Sequence, residues 1–348
     1  MKVHFRAIVL ALTVFITFIG SSSVASAQSQ VKPELNKVTI AVGGKPGLYY
    51  LPLTLAEQLG YFKDEGLNVE IIDFAGGTKA LQAVVGGSAD VASGAFENAI
   101  NLQARNQKYR AFVLQARVPQ IVLAIATSKA DNYKSPKDLK GLKIGVSAPG
   151  SSTSMLLNYV LAQNGLKPTD VSTIGVGVSS GALSALRMGT IDAISNIDPV
   201  ISMLQEKGEI KIIADTRTVK DTQAIFGGLM PAASLYASQE FIDKNPKTVQ
   251  ALTNAMVRTL KWLKKAGPSE IIKTVPEAYL LGDRSLYLAA YTNSKEAFSL
   301  DGLFSASAVQ VALKAVSSFN QDVHADKINL SDTYTNDFVV KANQKYRD

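Results

Sequence analysis

Cysteine is missing from the 348-residue sequence altogether. Its absence excludes disulfide bonds, thiolate metal sites and a thiol nucleophile. It also excludes a lipid attached to an N-terminal cysteine, so the chain is not a bacterial lipoprotein. Few catalytic options are left.

Histidine is almost as scarce, because the chain contains only His4 and His324. His4 lies in a segment that we expect to be removed, so a zinc site built from histidines is excluded by number. His324 stands in a polar stretch typical of a surface, and no G-x-S-x-G motif accompanies it. We predict no catalytic residue and no metal site, although the acidic residues are numerous enough to leave paired carboxylates as an alternative.

Nucleotide-binding motifs are also missing. The glycine-rich segment 43–47 has neither the G-x-G-x-x-G nor the Walker A spacing, so no nucleotide cofactor is predicted. No other cofactor is indicated. The 36 basic and 29 acidic side chains give a net charge of +7. Since the basic residues are scattered, we predict no nucleic-acid binding, only a mild attraction for anions.

Only one long apolar run occurs in the chain, at residues 7–19. Lys2 and Arg6 precede it, and residues 25–27 are Ala-Ser-Ala, an A-x-A cleavage pattern. This order is typical of a secretory signal peptide, and the run is shorter than the ~20 residues of a membrane-spanning helix. We expect export, cleavage after Ala27 and, without a lipid anchor, a free protein in a Gram-negative periplasm.

Short β-type runs alternate with helical patterns up to residue 215, and the chain is mainly helical after about residue 238. Such alternation is typical of an α/β fold in which helices cover parallel strands. The predicted strands are residues 37–42, 68–73, 90–93, 109–117, 120–127, 143–146, 171–174, 193–197 and 210–215. The predicted helices are residues 51–59, 77–86, 95–103, 152–164, 181–188, 247–265 and 306–319, with another starting at Pro199.

Two segments, residues 80–91 and 182–193, share the pattern A-L-x-A-[VL]-x-x-G-[ST]-[AI]-D-[VA]. In each, an apolar helix face ends at a glycine suited to a left-handed cap, and an aspartate leads into a buried strand. Chance similarity between two helix–turn–strand units is the alternative. The shared order favours equivalent units in two similar lobes.

Loops of small residues follow the predicted strands at residues 43–50, 74–79, 94–97, 147–154 and 196–199. In open α/β sheets, ligands bind beyond the strand ends, where glycine lets them approach the backbone and helix starts attract anions. Serine, threonine and glycine also cap helices, so a single loop is a weak signal. The recurrence of such loops in both halves predicts a shared cleft.

Several segments also occur in a known family in this order and spacing. They are LGYFKDEGLNVE (59–70), Gly76-Gly77, GSADV (87–91), SPKDLKG (135–141) and KIGV (143–146). Over about residues 37–265, the chain resembles the solute-binding proteins of ABC importers for nitrate, sulfonates and taurine, which are related to proteins that bind thiamine pyrimidine precursors. The resemblance implies a type II periplasmic-binding-protein fold, in which two α/β lobes joined by two crossover strands enclose the ligand cleft.

The resemblance also implies lobe boundaries. Residues 37–118 and 232–348, including the C-terminal helices, would form lobe 1, and residues 119–231 would form lobe 2. The chain would cross between them near residues 116–121 and 228–235. The cleft loops of the family then fall on these candidate ligand-binding residues: Lys45, Tyr49, Tyr50, Gly76, Gly77, Thr78, Gly94, Phe96, Gly150, Ser151, Ser152, Thr153, Asn196, Asp198 and Met230.

The first loop departs from the family pattern. Members specialised for aliphatic sulfonates or taurine share polar signatures that are not recognisable in GGKPGLYYLP (43–52). Tyr49, Tyr50 and Phe96 would instead give the cleft an aromatic wall suited to a ring or an apolar tail. The alternative is that at least one of these aromatic residues belongs to the core.

The implied function is capture of a small organic anion, either a sulfonate or an aromatic or heterocyclic carboxylate, by lobe closure. The ligand would pass to an ABC permease in the inner membrane, and we expect a monomer that is not an enzyme. Two alternatives remain: a ligand-sensing partner of a membrane receptor, and an exported enzyme that uses a cleft carboxylate such as Asp198. The pyrimidine synthases related to this family carry a cysteine-containing motif, which this chain lacks.

Overall fold

Two five-stranded sheets organise residues 32–347, the part of the chain that the computed structural model describes. The predicted signal peptide and its cleavage site lie outside those residues. The strands are β1 (Lys37–Gly43), β2 (Asn68–Phe74), β3 (Val91–Ala95), β4 (Tyr109–Leu114), β5 (Ile121–Ala126), β6 (Lys143–Val146), β7 (Ser172–Gly175), β8 (Ala193–Ile197), β9 (Ile210–Asp215) and β10 (Ala233–Ser238).

The two sheets have matching strand orders. The first sheet has the order β2-β1-β3-β10-β4, and the second has the order β7-β6-β8-β5-β9. In each, the fourth strand is antiparallel to its neighbours. The expectation of parallel strands was therefore wrong for β5, and β10 was not among the predicted strands. The chain enters both strands on crossing from the other sheet, so no crossover within one sheet sets their direction.

The chain passes between the sheets twice, from Leu114 to Ile121 and again before Ala233. The two passages are hydrogen-bonded to each other. The amide of Ala116 donates to the carbonyl of Ala233 at 3.1 Å, and the amide of Ala232 donates to the carbonyl of Ala116 at 2.9 Å. The predicted crossings overlap these passages, and the predicted lobe boundaries themselves stay a prediction. Each sheet with its helices is called a lobe below.

Most of the predicted helices are present, with ends shifted by a few residues. None of the helices between residues 32 and 347 is long and apolar enough to cross a membrane. The α-helices are α1 (Leu51–Gln58), α2 (Tyr61–Asp64), α3 (Gly77–Val85), α4 (Glu97–Ala104), α5 (Ser152–Gln163), α6 (Ser180–Arg187), α7 (Val200–Glu206), α8 (Val219–Phe226), α9 (Gln239–Lys244), α10 (Pro246–Lys265), α11 (Pro268–Thr274), α12 (Arg284–Ser294), α13 (Ala306–Ser317) and α14 (Asp337–Lys345).

The repeated sequence pattern forms equivalent units in the two lobes. Asp90 accepts a hydrogen bond from the amide of Thr39 in β1 at 2.8 Å, and Asp192 accepts one from the amide of Lys143 in β6 at 3.0 Å. The glycines that end the preceding helices have φ angles of +76° and +67°. Helix, glycine turn and strand therefore recur with the same hydrogen bond, which confirms the predicted repeat.

The longest helix, α10, is largely buried and packs against α1, α2, α14 and β4. Two of its buried polar residues are satisfied within the helix. The hydroxyls of Thr253 and Thr259 each donate to the carbonyl four residues earlier at 2.8 Å. This helix therefore fixes the C-terminal helices to the first lobe. Two of those helices also contact the second lobe, since α12 meets α7 and α13 meets α5.

Candidate functional site

The loops that follow β1 and β2 face the loops and strand ends of the second lobe. A Cβ atom placed on Gly76 would lie 2.5 Å from the Cβ of Ala148, and one placed on Gly47 would lie 2.4 Å from a methyl carbon of Ile197. Neither separation is physically possible. Glycine at position 76 therefore lets the backbones of the two lobes approach closely, and glycine at position 47 leaves room for the Ile197 side chain. The sequence predicted Gly76 as a ligand contact, and that role stays a prediction.

Two hydrogen bonds cross this cleft directly. The hydroxyl of Thr78 donates to the carbonyl of Pro149 at 2.8 Å, and the amide of Leu48 donates to the carbonyl of Asp198 at 2.8 Å. Gly150 lies against the same threonine, because a Cβ on that glycine would be 3.5 Å from its hydroxyl oxygen. The structure thus brings together cleft residues predicted from separate halves of the sequence.

Tyr49 and Tyr50 form an edge-to-face pair with ring centroids 4.8 Å apart. Both side chains are buried, and burial raises the pKa of both phenols. The hydroxyl of Tyr49 lies next to Ser152 of the opposite lobe, but no described atom completes a hydrogen bond with it. The hydroxyl of Tyr50 lies beside Gly77, within 4.0 Å of the point where a Cβ would stand. Both rings belong to the large hydrophobic cluster of buried residues, and that they form an aromatic wall for a ligand stays a prediction.

The second-lobe loop after β6 is held by its own hydroxyl groups. The side-chain oxygens of Ser147, Ser151 and Thr153 lie 2.8 to 3.0 Å from one another. The amide of Ser147 also donates to Thr153 at 2.9 Å, and the hydroxyl of Ser195 donates to the carbonyl of Thr153 at 2.8 Å. Ser151 and Thr153 therefore shape the loop, while Ser152 opens α5 at the cleft.

Asn196 and Asp198 are buried at the end of β8, and their polar atoms already have protein partners. The Asn196 amide donates to the carbonyl of Gly177 at 2.9 Å. The Asp198 carboxylate receives hydrogen bonds from the Ser202 amide at 2.8 Å and from Arg217 at 3.4 Å. Burial raises the pKa of Asp198, although Arg217 acts in the opposite direction. These contacts give both residues a structural role.

Lys45 also has a partner inside its own lobe. Its ammonium group lies 2.6 Å from the carboxylate of Glu57, and its side chain is 11% exposed. The amides of Gly44 and Lys45 both donate to Asp73, at 2.8 and 2.9 Å. The lysine therefore anchors the first cleft loop to α1 and β2, and its charge is already compensated.

Three predicted residues belong to the core of the first lobe. The ring of Phe96 packs against the rings of Phe304 and Tyr334, with centroids 5.3 and 6.5 Å away. Met230 is fully buried in the same hydrophobic cluster. Gly94 lies against Tyr236, whose hydroxyl would be 2.9 Å from an added Cβ. The core alternative therefore applies to Phe96.

Glu97 is a buried carboxylate in the predicted loop 94–97 that was not among the candidate ligand-binding residues. It is only 4% exposed and opens α4 directly after the β3 end. Burial raises its pKa to about 7, opposed only by a hydrogen bond from its own backbone amide. The helix dipole stabilises acidic residues in the first turn of a helix. A glutamate at this position therefore did not by itself indicate a functional residue.

Metal binding finds no support among residues 32–347, where no group of histidine, cysteine, aspartate or glutamate side chains is arranged to hold an ion. The charged groups near the cleft pair with protein partners, as Lys45 and Asp198 do, with Glu97 as the exception among the residues described above. The residues that meet across the cleft therefore provide hydroxyl groups and backbone amides.

Comparison with known proteins agrees with this architecture. Residues 48–270 match the family described as NMT1/THI5 like. The chain belongs to this family. A structure from Bordetella bronchiseptica RB50 is 59% identical, has a TM-score of 0.90 and covers 91% of this chain and 100% of its own. The YtlA protein of Bacillus subtilis (strain 168), named a binding protein, is 25% identical over 75% of this chain and 77% of its own.

The fold extends to more distant structures. The alkanesulfonate-binding protein SsuA of Xanthomonas axonopodis pv. citri, solved with MOPS bound, is 19% identical with a TM-score of 0.67. The match covers 87% of this chain and 99% of that one. The predicted periplasmic-binding-protein fold, with two α/β lobes and a cleft between them, is confirmed. The chain is thus a member of the NMT1/THI5 like family with this fold.

Proposed function

We propose that this protein is the solute-binding component of an ABC importer. It works in the periplasm as a monomer, closes its lobes around a small molecule and delivers that molecule to an inner-membrane permease. The observation that carries the proposal is the cleft itself. The two lobes touch through Thr78 and Pro149, while the Tyr49 hydroxyl beside this junction has no hydrogen-bond partner among the described residues. A buried hydroxyl without a partner is costly, and a bound ligand would satisfy it.

The ligand carries an anionic group, either a sulfonate or a carboxylate on an aromatic or heterocyclic ring. Two helices support this, since α3 and α5 both begin at the cleft and helix N-termini favour negative charge. Ser152 stands in the first turn of α5 and can donate a further hydrogen bond, whereas the Thr78 hydroxyl already donates its proton to Pro149. The edge-to-face pair of Tyr49 and Tyr50 provides a surface suited to a ring.

The protein binds its ligand without transforming it. His324 is exposed on the surface and lies in none of the cleft loops, and the sequence contains no cysteine. Asp198 is the first candidate for a catalytic carboxylate, but it accepts hydrogen bonds from Arg217, Ser202 and Ser294. A general acid or base must reach its substrate, and these partners prevent that.

A ligand screen on the purified chain without residues 1–27 tests the proposal. Sulfonates and ring carboxylates are added singly, and the unfolding temperature is measured. A ligand that binds the folded state raises this temperature by mass action. We expect at least one anion to do so and to reduce the radius of gyration in small-angle X-ray scattering. Absence of any stabilisation across both anion classes would contradict the proposal.

Export is tested separately by cell fractionation. The full chain produced in a Gram-negative host should appear in the periplasmic fraction, shortened by its first 27 residues, as mass spectrometry would show. A matched chain that lacks the apolar run 7–19 should remain in the cytoplasm. Recovery of the full-length chain in the membrane fraction would overturn cleavage after Ala27.

A further inference from the structure

A further cavity lies beside the segment where the chain first passes between the sheets. Its volume is about 610 Å³, within the range of roughly 300–1,000 Å³ that is typical of small-molecule sites. Its lining comes from α10 of the first lobe, from Arg117 of the first passage, and from the end of α12 with the segment that follows it. Thr218, which caps α8 of the second lobe, also lines it. None of the described lining residues comes from the cleft loops, so this cavity is distinct from the cleft.

Hydrogen bonds hold the walls of this cavity in place. Residues 296–299 run antiparallel to the first passage, where the amide of Arg117 donates to the carbonyl of Ala297 at 2.8 Å. The Nε of Arg117 donates to the carbonyl of Glu296 at 2.8 Å, and the Glu296 carboxylate accepts from the amide of Val219 in α8 at 2.7 Å. Bonded backbone segments therefore bound the cavity, which is more than a gap between surface side chains.

The floor of the cavity is apolar. Leu260, Leu263 and Phe298 line it, and each of these side chains is at most 4% exposed. Leu300 also lines the cavity, but its side chain is 52% exposed. A hydrocarbon group placed here would remove apolar surface from water, which is the main favourable contribution to binding in most small-molecule sites.

Two cations stand beside this apolar floor. Arg117 and Lys295 both line the cavity, and neither makes an ion pair with a carboxylate in the described part of the chain. Lys295 lies instead 6.0 Å from the ring centroid of Tyr291. Glu296 is the acidic residue among the described lining residues, and its carboxylate is bound to the start of α8. The arrangement therefore favours a negative charge next to an apolar surface.

We propose that this cavity is a second ligand site, which binds a small amphipathic anion such as a carboxylate on a hydrocarbon chain. The anionic group lies at Arg117 and Lys295, and the hydrocarbon lies on Leu260, Leu263 and Leu300. Both features are needed to define the ligand class. An uncharged apolar molecule would leave the cations without an anion, and a small inorganic anion would leave the apolar floor in water. The inference goes beyond the proposed function and does not depend on the ligand of the cleft.

Octanoate and 1-octanol test the ligand class by calorimetry on the purified protein. The two molecules have hydrocarbon chains of the same length, and at neutral pH only octanoate is charged. We expect octanoate to bind about fivefold more tightly than 1-octanol or better, because two partly exposed cations attract its carboxylate.

Two substitutions test the position of the site. Lys295→Met removes a cation and should weaken octanoate binding about threefold without weakening 1-octanol binding. Leu300→Gln removes apolar surface and should weaken the binding of both molecules about threefold. Lys314→Met on α13 and Val340→Gln on α14 are the matched controls, since both side chains are exposed and neither lines the cavity. The controls should bind both molecules as the wild type does.

The outcomes decide the inference without affecting the proposed function of the cleft, because no cleft residue is altered. If octanoate does not bind, the second site is overturned. If 1-octanol binds as tightly as octanoate, the anionic ligand class is wrong. Octanoate binding that is unchanged in both Lys295→Met and Leu300→Gln would show that octanoate binds elsewhere, which also overturns the inference.

Discussion

The hydroxyl of Thr78 donates a hydrogen bond to the carbonyl of Pro149 at 2.8 Å, and this bond joins the two lobes across the cleft. One residue lies in the first turn of α3, and the other lies in the loop after β6. Because the bond can exist only when the lobes are close, it stabilises the closed arrangement over an open one. The fraction of molecules in the closed state therefore depends directly on this hydrogen bond.

Replacing Thr78 with valine should weaken lobe closure without harming the fold. The change removes one hydrogen bond worth about 1 kcal/mol in the closed state, so ligand affinity should fall by about fivefold. Calorimetry would measure this. Thr127→Val is the matched control, because Thr127 makes a similar bond to the carbonyl of Gly208 at 2.7 Å inside the second lobe. Equal losses of affinity in the two variants would contradict the role in closure.

Gly76→Ala should block closure by steric conflict. Its φ of +151° disfavours a side chain, and the new Cβ would stand 2.5 Å from Ala148 of the other lobe. We expect ligand affinity to fall by about tenfold or more, with a larger radius of gyration in the presence of ligand. Gly87→Ala also places a side chain at a positive φ, +76°, but meets nothing within 4 Å. Gly87→Ala should lower the free energy of unfolding without lowering ligand affinity. A loss of ligand affinity in this variant would argue against the steric mechanism.

Much of the fold could be predicted from the sequence because its signals are local. Apolar runs, and glycines at the ends of helices, indicated where the strands and helices lie. The two segments with the A-L-x-A pattern form equivalent units, in which Asp90 and Asp192 make equivalent hydrogen bonds. The direction of β5 and β10 could not be predicted, since it depends on which sheet the chain has just left. That relationship is global and leaves no mark on the residues of either strand.

The cleft was predictable as a set of loops but not as a set of side-chain roles. Gly76 and Thr78 come from one of the predicted cleft loops, and the structure places them against the other lobe. Asp198 and Lys45 looked like free ligand contacts because their partners, Arg217 and Glu57, are found only through the fold. Glu97 was not selected as a candidate, because the absence of a partner for a buried charge can be recognised only when the positions of all neighbouring residues are known.

The raised pKa of Glu97 predicts how stability depends on pH in the absence of ligand. Its pKa is about 7 in the folded state and usually 4.5. Since the folded state holds the proton more tightly, this contribution is fully present below about pH 4.5 and is lost as the pH rises through about 7. The total loss is on the order of 3 kcal/mol. The neighbouring tyrosines do not titrate in this window, because their pKa values are raised above 10.

Urea unfolding of the wild type and Glu97→Gln from about pH 5 to pH 8 would measure this effect. The difference in free energy of unfolding between the two proteins isolates Glu97 from the other carboxylates. We expect the variant to gain stability relative to the wild type as the pH rises, since it avoids an unpaired buried charge. Two parallel pH curves would be incompatible with the raised pKa.

Arg217 should be among the most sensitive charged residues of the second lobe. Its side chain is 7% exposed and bridges Asp215 at 2.6 Å and Asp198 at 3.4 Å. Arg217→Met leaves Asp198 buried without its counter-charge, so the free energy of unfolding should fall by about 3–5 kcal/mol. Urea denaturation would measure the loss.

Arg187→Met provides the comparison for this effect. Arg187 also pairs with a carboxylate of the second lobe, that of Glu209 at 3.0 Å, but its side chain is 41% exposed. A surface pair of this kind contributes about 0–1 kcal/mol. Adding Asp198→Asn to Arg217→Met should recover part of the loss, because the unpaired charge is then gone. If Arg217→Met costs no more than Arg187→Met, Asp198 does not need its partner, and its availability to a ligand would have to be reconsidered.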